Sequence, residues 1–226
     1  MNFVTRCALT VLFAFAAVVL GASAHAAEDI SKVNGSVKIE TGQQVGDVDT
    51  VNGSVTIGAG ARARDVGTVN GSVRIEDKAV VAGAVETVNG SVTVGAEAEV
   101  QKGIDAVNGS LTLRKDAKVA GGLENVNGAM LLEGAQVDGG IETVNGDIRL
   151  ATGSRLTGGI HVNEHKPSWW KGKDSRNPRI TIEQGATVEG PLHFEREVDL
   201  YVAPGVNLPP VEGVQPQRFT LQQGRG

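Results

Sequence analysis

Val51-Asn52-Gly53-Ser54-Val55 is the stretch of sequence that decides the fold, because this pentapeptide or a close variant returns along the whole chain. Successive asparagines of the motif are 18 or 19 residues apart. They are Asn34, Asn52, Asn70, Asn89, Asn108, Asn127 and Asn145, followed by a degenerate copy at Asn163. A fixed period of this length is typical of a solenoid, in which each repeat packs only against its neighbours.

The spacing of apolar residues inside each repeat indicates strands. Large aliphatic residues return about every six positions, as at Val33, Ile39, Val45, Val51 and Ile57, and other apolar residues alternate with polar ones. Alternation with a period of two is typical of a strand with one buried face. Three short faces per repeat predict an all-β fold, a single-stranded parallel β-helix or triangular β-solenoid with 18–19 residues per coil. Right-handed crossovers are the rule for parallel strands and favour a right-handed coil, while the six-residue spacing leaves a left-handed coil as the alternative.

The composition agrees with a narrow prism. Glycine supplies 31 of the 226 residues and aromatic residues only 4%. The Asn-Gly step predicts a corner with a positive φ at glycine, and the seven asparagines would then stack into a ladder of side-chain amides along the axis. Five of them also match the glycosylation sequon Asn-x-Ser. The corner explains all seven asparagines and the sequon only five, so a structural ladder is the preferred interpretation.

Residues 1–26 have the pattern of a secretory signal peptide. Arg6 precedes an apolar run over residues 8–20, and Ala24-His25-Ala26 supplies small residues for cleavage after Ala26. An uncleaved anchor is the alternative. The segment predicts a periplasmic or secreted protein without a transmembrane span after cleavage. The single cysteine, Cys7, lies in this segment, so the mature chain has no disulfide and no thiol nucleophile.

The later part of the chain departs from the repeat. Solenoid repeats are predicted over 27–160, an inserted Trp- and Lys-rich loop over 161–178, and terminal coils over 179–203. All seven prolines lie at Pro167 or beyond, and the proline-rich segment 204–226 predicts a cap with a flexible tail.

The inserted loop holds the candidate ligand contacts. These are Trp169, Trp170, Lys171, Lys173 and Arg176. Aromatic rings beside cations suit contact with sugars or anionic polymers, and the alternative is that both indoles plug the end of the rod.

A metal site is not predicted from the loop. His161 and His165 are four residues apart, but no helix is expected beside Pro167, and no third ligand is evident. No cofactor is expected either.

Acidic residues recur three positions before most of the repeat asparagines. They are Asp49, Glu86, Asp105, Glu124 and Glu142. Stacked carboxylates predict a solvated charged edge, and the alternatives are a cation site or a pair of carboxylates for glycan cleavage. No catalytic residue is assigned, and the net charge of −5 argues against nucleic acid as a partner.

Two glycine-rich coils carry a resemblance to known families. Val-Thr-Ile-Gly-Ala-Gly-Ala at 55–61 and Ile-Glu-Gln-Gly-Ala-Thr-Val-Glu-Gly at 182–190 resemble the polymer-forming cytoskeletal bactofilins, and also the adhesin-like β-solenoids of bacterial envelopes. The resemblance covers roughly residues 33–202 and implies end-to-end polymerisation without a nucleotide. Bactofilins are cytoplasmic, however, and the signal peptide departs from that pattern.

The sequence therefore predicts a non-enzymatic secreted β-solenoid, a structural scaffold or adhesin-like binding and assembly module of the bacterial envelope. The expected partners are a further copy, through coil ends or edges, and an envelope polysaccharide or surface partner. The alternative is a glycan-binding or glycan-active β-helix protein that uses the acidic residues or the Trp169/Trp170 loop.

Overall fold

A computed structural model describes residues 28–164 and 176–220 of the chain. These residues form the predicted all-β parallel solenoid of about nine turns, with three parallel sheets and no helix. No helix in the two described ranges is therefore long and apolar enough to cross a membrane. The predicted signal peptide and four of the five candidate loop contacts, Trp169, Trp170, Lys171 and Lys173, lie outside the described residues.

Each coil contributes one strand to each of two long sheets and, in most coils, a third strand to a shorter sheet. Sheet 1 contains β1 (Ile30–Asn34), β3 (Val48–Asn52), β6 (Val66–Asn70), β9 (Val85–Asn89), β12 (Ile104–Asn108), β15 (Leu123–Asn127), β18 (Ile141–Thr143), β21 (Ile160–Val162), β24 (Leu192–Phe194) and β26 (Val211–Gly213). Sheet 2 contains β2 (Val37–Ile39), β4 (Val55–Ile57), β7 (Val73–Ile75), β10 (Val92–Val94), β13 (Leu111–Leu113), β16 (Met130–Leu132), β19 (Ile148–Leu150), β22 (Arg179–Ile182), β25 (Asp199–Val202) and β27 (Gln217–Thr220). Sheet 3 contains β5 (Arg62–Ala63), β8 (Val80–Val81), β11 (Glu99–Val100), β14 (Lys118–Val119), β17 (Gln136–Val137), β20 (Arg155–Leu156) and β23 (Thr187–Val188).

The core differs from the six-residue spacing at one position of the coil. In β3, Val48 and Thr50 are buried, while Asp49 and Val51 lie on the outer side and are partly exposed. The valine of the Val-Asn-Gly motif belongs to the six-residue series, but it lies outside in most coils, and Val33 of the first coil is 53% exposed. The reason is that strand alternation fixes which side chains point inward, whatever the longer period.

Buried polar side chains lie behind the Asn-Gly corners. The hydroxyls of Thr50 and Thr68 donate hydrogen bonds to the corner glycine carbonyls of the preceding coils, at 3.0 and 2.9 Å. Ala106 interrupts this series. In the next coil Asn125 takes the place of threonine, and its Nδ2 donates to the carbonyl of Gly109 at 2.8 Å. Its Oδ1 is buried without a hydrogen-bond partner in the described part of the chain.

The Asn-Gly corner requires glycine chiefly because neighbouring coils approach closely there. A Cβ atom built on Gly90 would lie 1.9 Å from the carbonyl oxygen of Gly71. The positive φ expected from the sequence occurs at Gly35 (106°) and Gly128 (132°), but not at Gly71 or Gly90. The close packing of one coil on the next thus explains the motif better than the left-handed backbone does.

A second corner, between sheets 2 and 3, is the left-handed one. Gly60 has a φ of 63° there, and nothing lies within 4 Å of a Cβ built on it. Three consecutive coils use Lys78, Glu97 and Asp116 instead, with φ values of 61°, 57° and 60°. These three side chains are exposed, so the cost at this corner comes from the left-handed backbone.

The insertion leaves the stacking register intact. Ile148 pairs with Ile180 across it in sheet 2, and Ile160 pairs with Leu192 in sheet 1. The solenoid extends further into the predicted loop 161–178 than expected, since His161 belongs to β21.

The segment that begins at Pro204 is more regular than the sequence indicated, because β26 and β27 add to sheets 1 and 2. Cations occupy inward register positions in both terminal coils. Lys32 aligns with buried Thr50, and Arg218 aligns with buried Leu200. A charge at such a position opposes the addition of another strand.

Candidate functional site

The repeat asparagines form one column of stacked amides. From Asn52 to Asn145, each Nδ2 donates to the Oδ1 of the asparagine one coil earlier, at 2.9–3.2 Å. The column ends where Nη1 of Arg196 donates to Oδ1 of Asn145 at 2.8 Å. Asn163 leaves the column, and its Nδ2 donates to Oε1 of Glu142 at 2.8 Å. The amides satisfy one another, so this column supports the rod.

The acidic residues singled out from the sequence also share one column, on the outer face of sheet 1. The register aligns Asp49, Gly67, Glu86, Asp105, Glu124 and Glu142 in successive coils. The same column continues through His161, His193 and Glu212. We call this series the sheet 1 column. Its first part is acidic, and its second part brings two imidazoles together.

The carboxylates at the start of the sheet 1 column have raised pKa values. Burial raises the pKa of Asp49 to about 6, and three neighbouring aspartates add to that rise. Burial also raises the pKa of Asp105 to about 6, with a further contribution from the charge of Glu86. For Glu86 burial again raises the pKa, and Asp65 and Asp49 add to the rise. A carboxyl group with a pKa near 6 can act as a general acid close to neutral pH.

The histidine part of the column was missed by the sequence analysis. His161 had been considered with His165, which lies outside the described residues, whereas the structure sets it beside His193 with ring centroids 4.8 Å apart. Nε2 of His161 lies 3.1 Å from Oε1 of Glu195. A backbone hydrogen bond from Glu164, aided by the two histidines, lowers the pKa of Glu195. The signal that could have found the pair is the apolar-His-apolar triplet, since Ile160-His161-Val162 and Leu192-His193-Phe194 both match the strands of sheet 1.

Arg176 is the one predicted loop contact within the described residues, and its side chain binds another residue of the same chain. The guanidinium of Arg176 donates two hydrogen bonds to the carboxylate of Asp147, at 2.9 and 2.8 Å. The backbone N–H of Arg179 donates to the same carboxylate at 2.9 Å. Burial raises the pKa of Asp147, but these donors outweigh it, and the net pKa is lowered. Arg176 thus fixes the end of the insertion to the solenoid.

An open groove of about 430 Å³ lies on the outer face of sheet 2 beside this contact. It is lined in part by Leu131, Asp147, Arg149, Arg179 and Glu183. Its charged groups already have partners: Nε of Arg149 donates to Oε1 of Glu183 at 2.7 Å, Asp147 accepts from Arg176, and Arg179 lies over the ring of Tyr201. The groove therefore offers few polar groups that need a ligand.

The fold and these columns define the chain as a parallel β-solenoid protein with a mixed acidic and histidine column on one face. A scan against protein-family models finds no matching family, and searches of curated proteins and of solved structures find no match either.

Proposed function

We propose that the protein is a non-enzymatic structural scaffold or adhesin-like binding module of the bacterial envelope. The observation that carries this proposal is the uninterrupted register of sheets 1 and 2, which repeats one set of outward positions in every coil. A rod of this kind presents equivalent groups at intervals of about 4.8 Å. Many weak, equivalent contacts suit an extended partner such as an envelope polysaccharide, because multivalent contacts accumulate affinity.

The predicted signal peptide supports a location in the envelope. Residues 1–26 have the charge, apolar run and small-residue pattern of a secretory signal, and the remainder has no cysteine that would depend on redox conditions. We propose a periplasmic or secreted location after cleavage at Ala26.

The first and last described coils argue against the bactofilin-like alternative, in which copies stack end to end. Lys32 and Arg218 place cations at inward positions of the first and last described coils. Both side chains are exposed, and a further coil stacked on them would bury their charges, which is costly; these residues therefore favour a discrete rod over a filament. We therefore favour display of the faces over assembly through the ends.

Light scattering across a hundredfold concentration range tests this choice. The wild-type protein is expected to keep one mass, whereas the double variant Lys32→Val and Arg218→Val is expected to form larger species. Substitution of Lys102 and Lys115, two lysines away from the ends, by valine is the matched control and should leave the mass unchanged. A wild-type mass that grows with concentration would instead show self-association and contradict the discrete rod.

A glycan-active protein is the second candidate, and the raised pKa of Asp105 beside Glu86 favours it. In that case the wild-type protein would release reducing ends from envelope polysaccharide, and D105N would lower the rate about 100-fold. D138N, at an exposed carboxylate outside the sheet 1 column, is the control. No release by the wild-type protein would exclude this candidate for the polysaccharides tested.

A further inference from the structure

The two histidines of the sheet 1 column stand beside a carboxylate in a compact group. His161 and His193 occupy the same register position on β21 and β24. Glu195 follows β24 directly. One ligand atom from each of the three residues can be chosen so that all lie within 4.8 Å of one another. Tetrahedral coordination at bond lengths near 2.0–2.1 Å requires ligand atoms roughly 3.4 Å apart, so small side-chain rotations suffice.

The carboxylate of Glu195 is already oriented toward the histidines. Its Oε2 accepts a hydrogen bond from the backbone N–H of Glu164 at 2.9 Å. That contact fixes the carboxylate and directs Oε1 to Nε2 of His161, 3.1 Å away. A cation between the carboxylate and the imidazole would replace the proton that they share.

Each imidazole also has a carboxylate near its other nitrogen. Nδ1 of His161 lies 3.9 Å from Oε1 of Glu142, one coil earlier. Nδ1 of His193 lies 3.6 Å from Oε2 of Glu212, one coil later. Metal-bound histidines commonly donate their second N–H to a carboxylate, which fixes the tautomer and the ring orientation. Both distances are longer than a hydrogen bond, so each ring would turn toward its glutamate to donate Nδ1–H and present Nε2 to the metal.

We propose that His161, His193 and Glu195 bind a divalent transition-metal ion of the zinc type, with Glu142 and Glu212 orienting the two imidazoles. Two imidazoles and one carboxylate favour such an ion over calcium or magnesium, which take oxygen ligands. The side chains of His161, His193 and Glu195 are 38%, 42% and 40% exposed, so a metal can enter and water can complete its coordination.

Calorimetric titration of Zn²⁺ into the purified, untagged protein near pH 7 tests the site. One ion per chain is expected. A parallel titration with Co²⁺ should give the visible absorption of a coordinated ion, and excess Ca²⁺ should not displace it. H161Q and H193Q should each weaken binding by more than about 100-fold, and E212Q by roughly 10- to 100-fold.

Two variants serve as matched controls. H165Q changes a histidine that is four residues from His161 in the sequence and outside the proposed ligand set, and E99Q changes a carboxylate of sheet 3; both variants should bind zinc as the wild-type protein does. The far-ultraviolet circular dichroism of all variants without metal should be unchanged, which separates loss of the site from loss of the fold.

Absence of saturable zinc binding by the wild-type protein would overturn the assignment. So would undiminished binding in H193Q, or a loss in H165Q or E99Q equal to that in H193Q. None of these results depends on the scaffold proposal, whose test measures mass alone.

Discussion

The coils up to Asn145 and the coils after it share one backbone and differ in most of their side-chain contacts. In the first region, amides stack on amides and the corner glycines pack on one another. In the second region, Arg196 ends the amide column, Arg176 holds the insertion, and histidines replace the acids. The repeated contacts of the first region stabilise the stacked coils, and the second region contains side-chain groups that do not repeat from coil to coil.

The largest expected effect comes from a change in the regular region, at Gly90. Gly90→Ala sets a Cβ 1.9 Å from the backbone of the coil below and should lower the free energy of unfolding by about 3 kcal/mol. Gly60→Ala is the control, since its Cβ meets nothing within 4 Å and only the left-handed backbone costs energy, about 1 kcal/mol. Urea unfolding followed by circular dichroism measures both. Equal losses would show that the close approach of the coils at Gly90 costs no more than the left-handed backbone at Gly60.

The second-largest loss of stability is expected at the boundary between the two regions, when Arg196 is replaced. Its guanidinium donates to Oδ1 of Asn145 at 2.8 Å and to the carbonyl of Val144 at 3.3 Å. Arg196→Ala should cost about 2 kcal/mol, because these acceptors lose a charged donor. Arg155→Ala removes only an exposed ion pair with Glu189 and should cost about 0.5 kcal/mol or less. A loss in R196A no larger than in R155A would mean that the end of the amide column needs no donor.

The acidic part of the sheet 1 column predicts a particular pH dependence. The pKa of Asp105, about 6 in the folded chain, exceeds the value near 3.9 expected when unfolded, so the folded chain binds the proton more tightly. Stability should therefore fall as pH rises from about 4 to about 6. At lower pH the lowered pKa values of Asp47 and Asp147 act oppositely, and stability falls as those groups become protonated.

Asp105→Asn isolates this effect. It removes a partly buried charge and should raise stability at pH 7 by about 1 kcal/mol once solvent screening is allowed for, and it should flatten the fall between pH 4 and 6. The melting temperature measured at intervals of pH, with Asp138→Asn as control, checks both features. A steeper fall of stability with pH in D105N would show that the carboxylate of Asp105 in the wild-type protein is stabilised when charged.

A modest gain of stability is expected at Asn125, where the regular region has an asparagine in place of the threonine of other coils. Asn125→Thr replaces an amide whose Oδ1 is buried without a described partner by the hydroxyl that other coils use. The free energy of unfolding should rise by about 1 kcal/mol, because an unsatisfied acceptor is removed while a bond to Gly109 is kept. Asn127→Thr, in the exposed amide column, should instead destabilise the protein. Destabilisation by N125T would indicate that its second bond, to Gly128, outweighs the unsatisfied atom.

The repeat predicted the architecture because every coil carries the same three pieces of information: strand alternation, a corner and a length. It misplaced the motif valines, since a six-residue count cannot distinguish Val51 from Thr50 as the inward residue. The histidine pair escaped because the insertion stretches the spacing from 18 or 19 residues to the 32 that separate His161 from His193. Their alignment becomes visible only when β21 is seen to pair with β24 in the structure.

The direction of the inter-coil hydrogen bonds makes the rod mechanically anisotropic. Strands lie across the axis, so the bonds that join Val92 to its neighbours on both sides run along it. A force applied along the axis to the two ends of the rod loads these bonds one coil at a time. The terminal coil should therefore detach first, at low force. A pull along a strand loads a whole sheet together in shear and should meet much greater resistance. How the chain is attached to its surroundings would therefore decide whether it acts as a rigid strut or as an extensible spring.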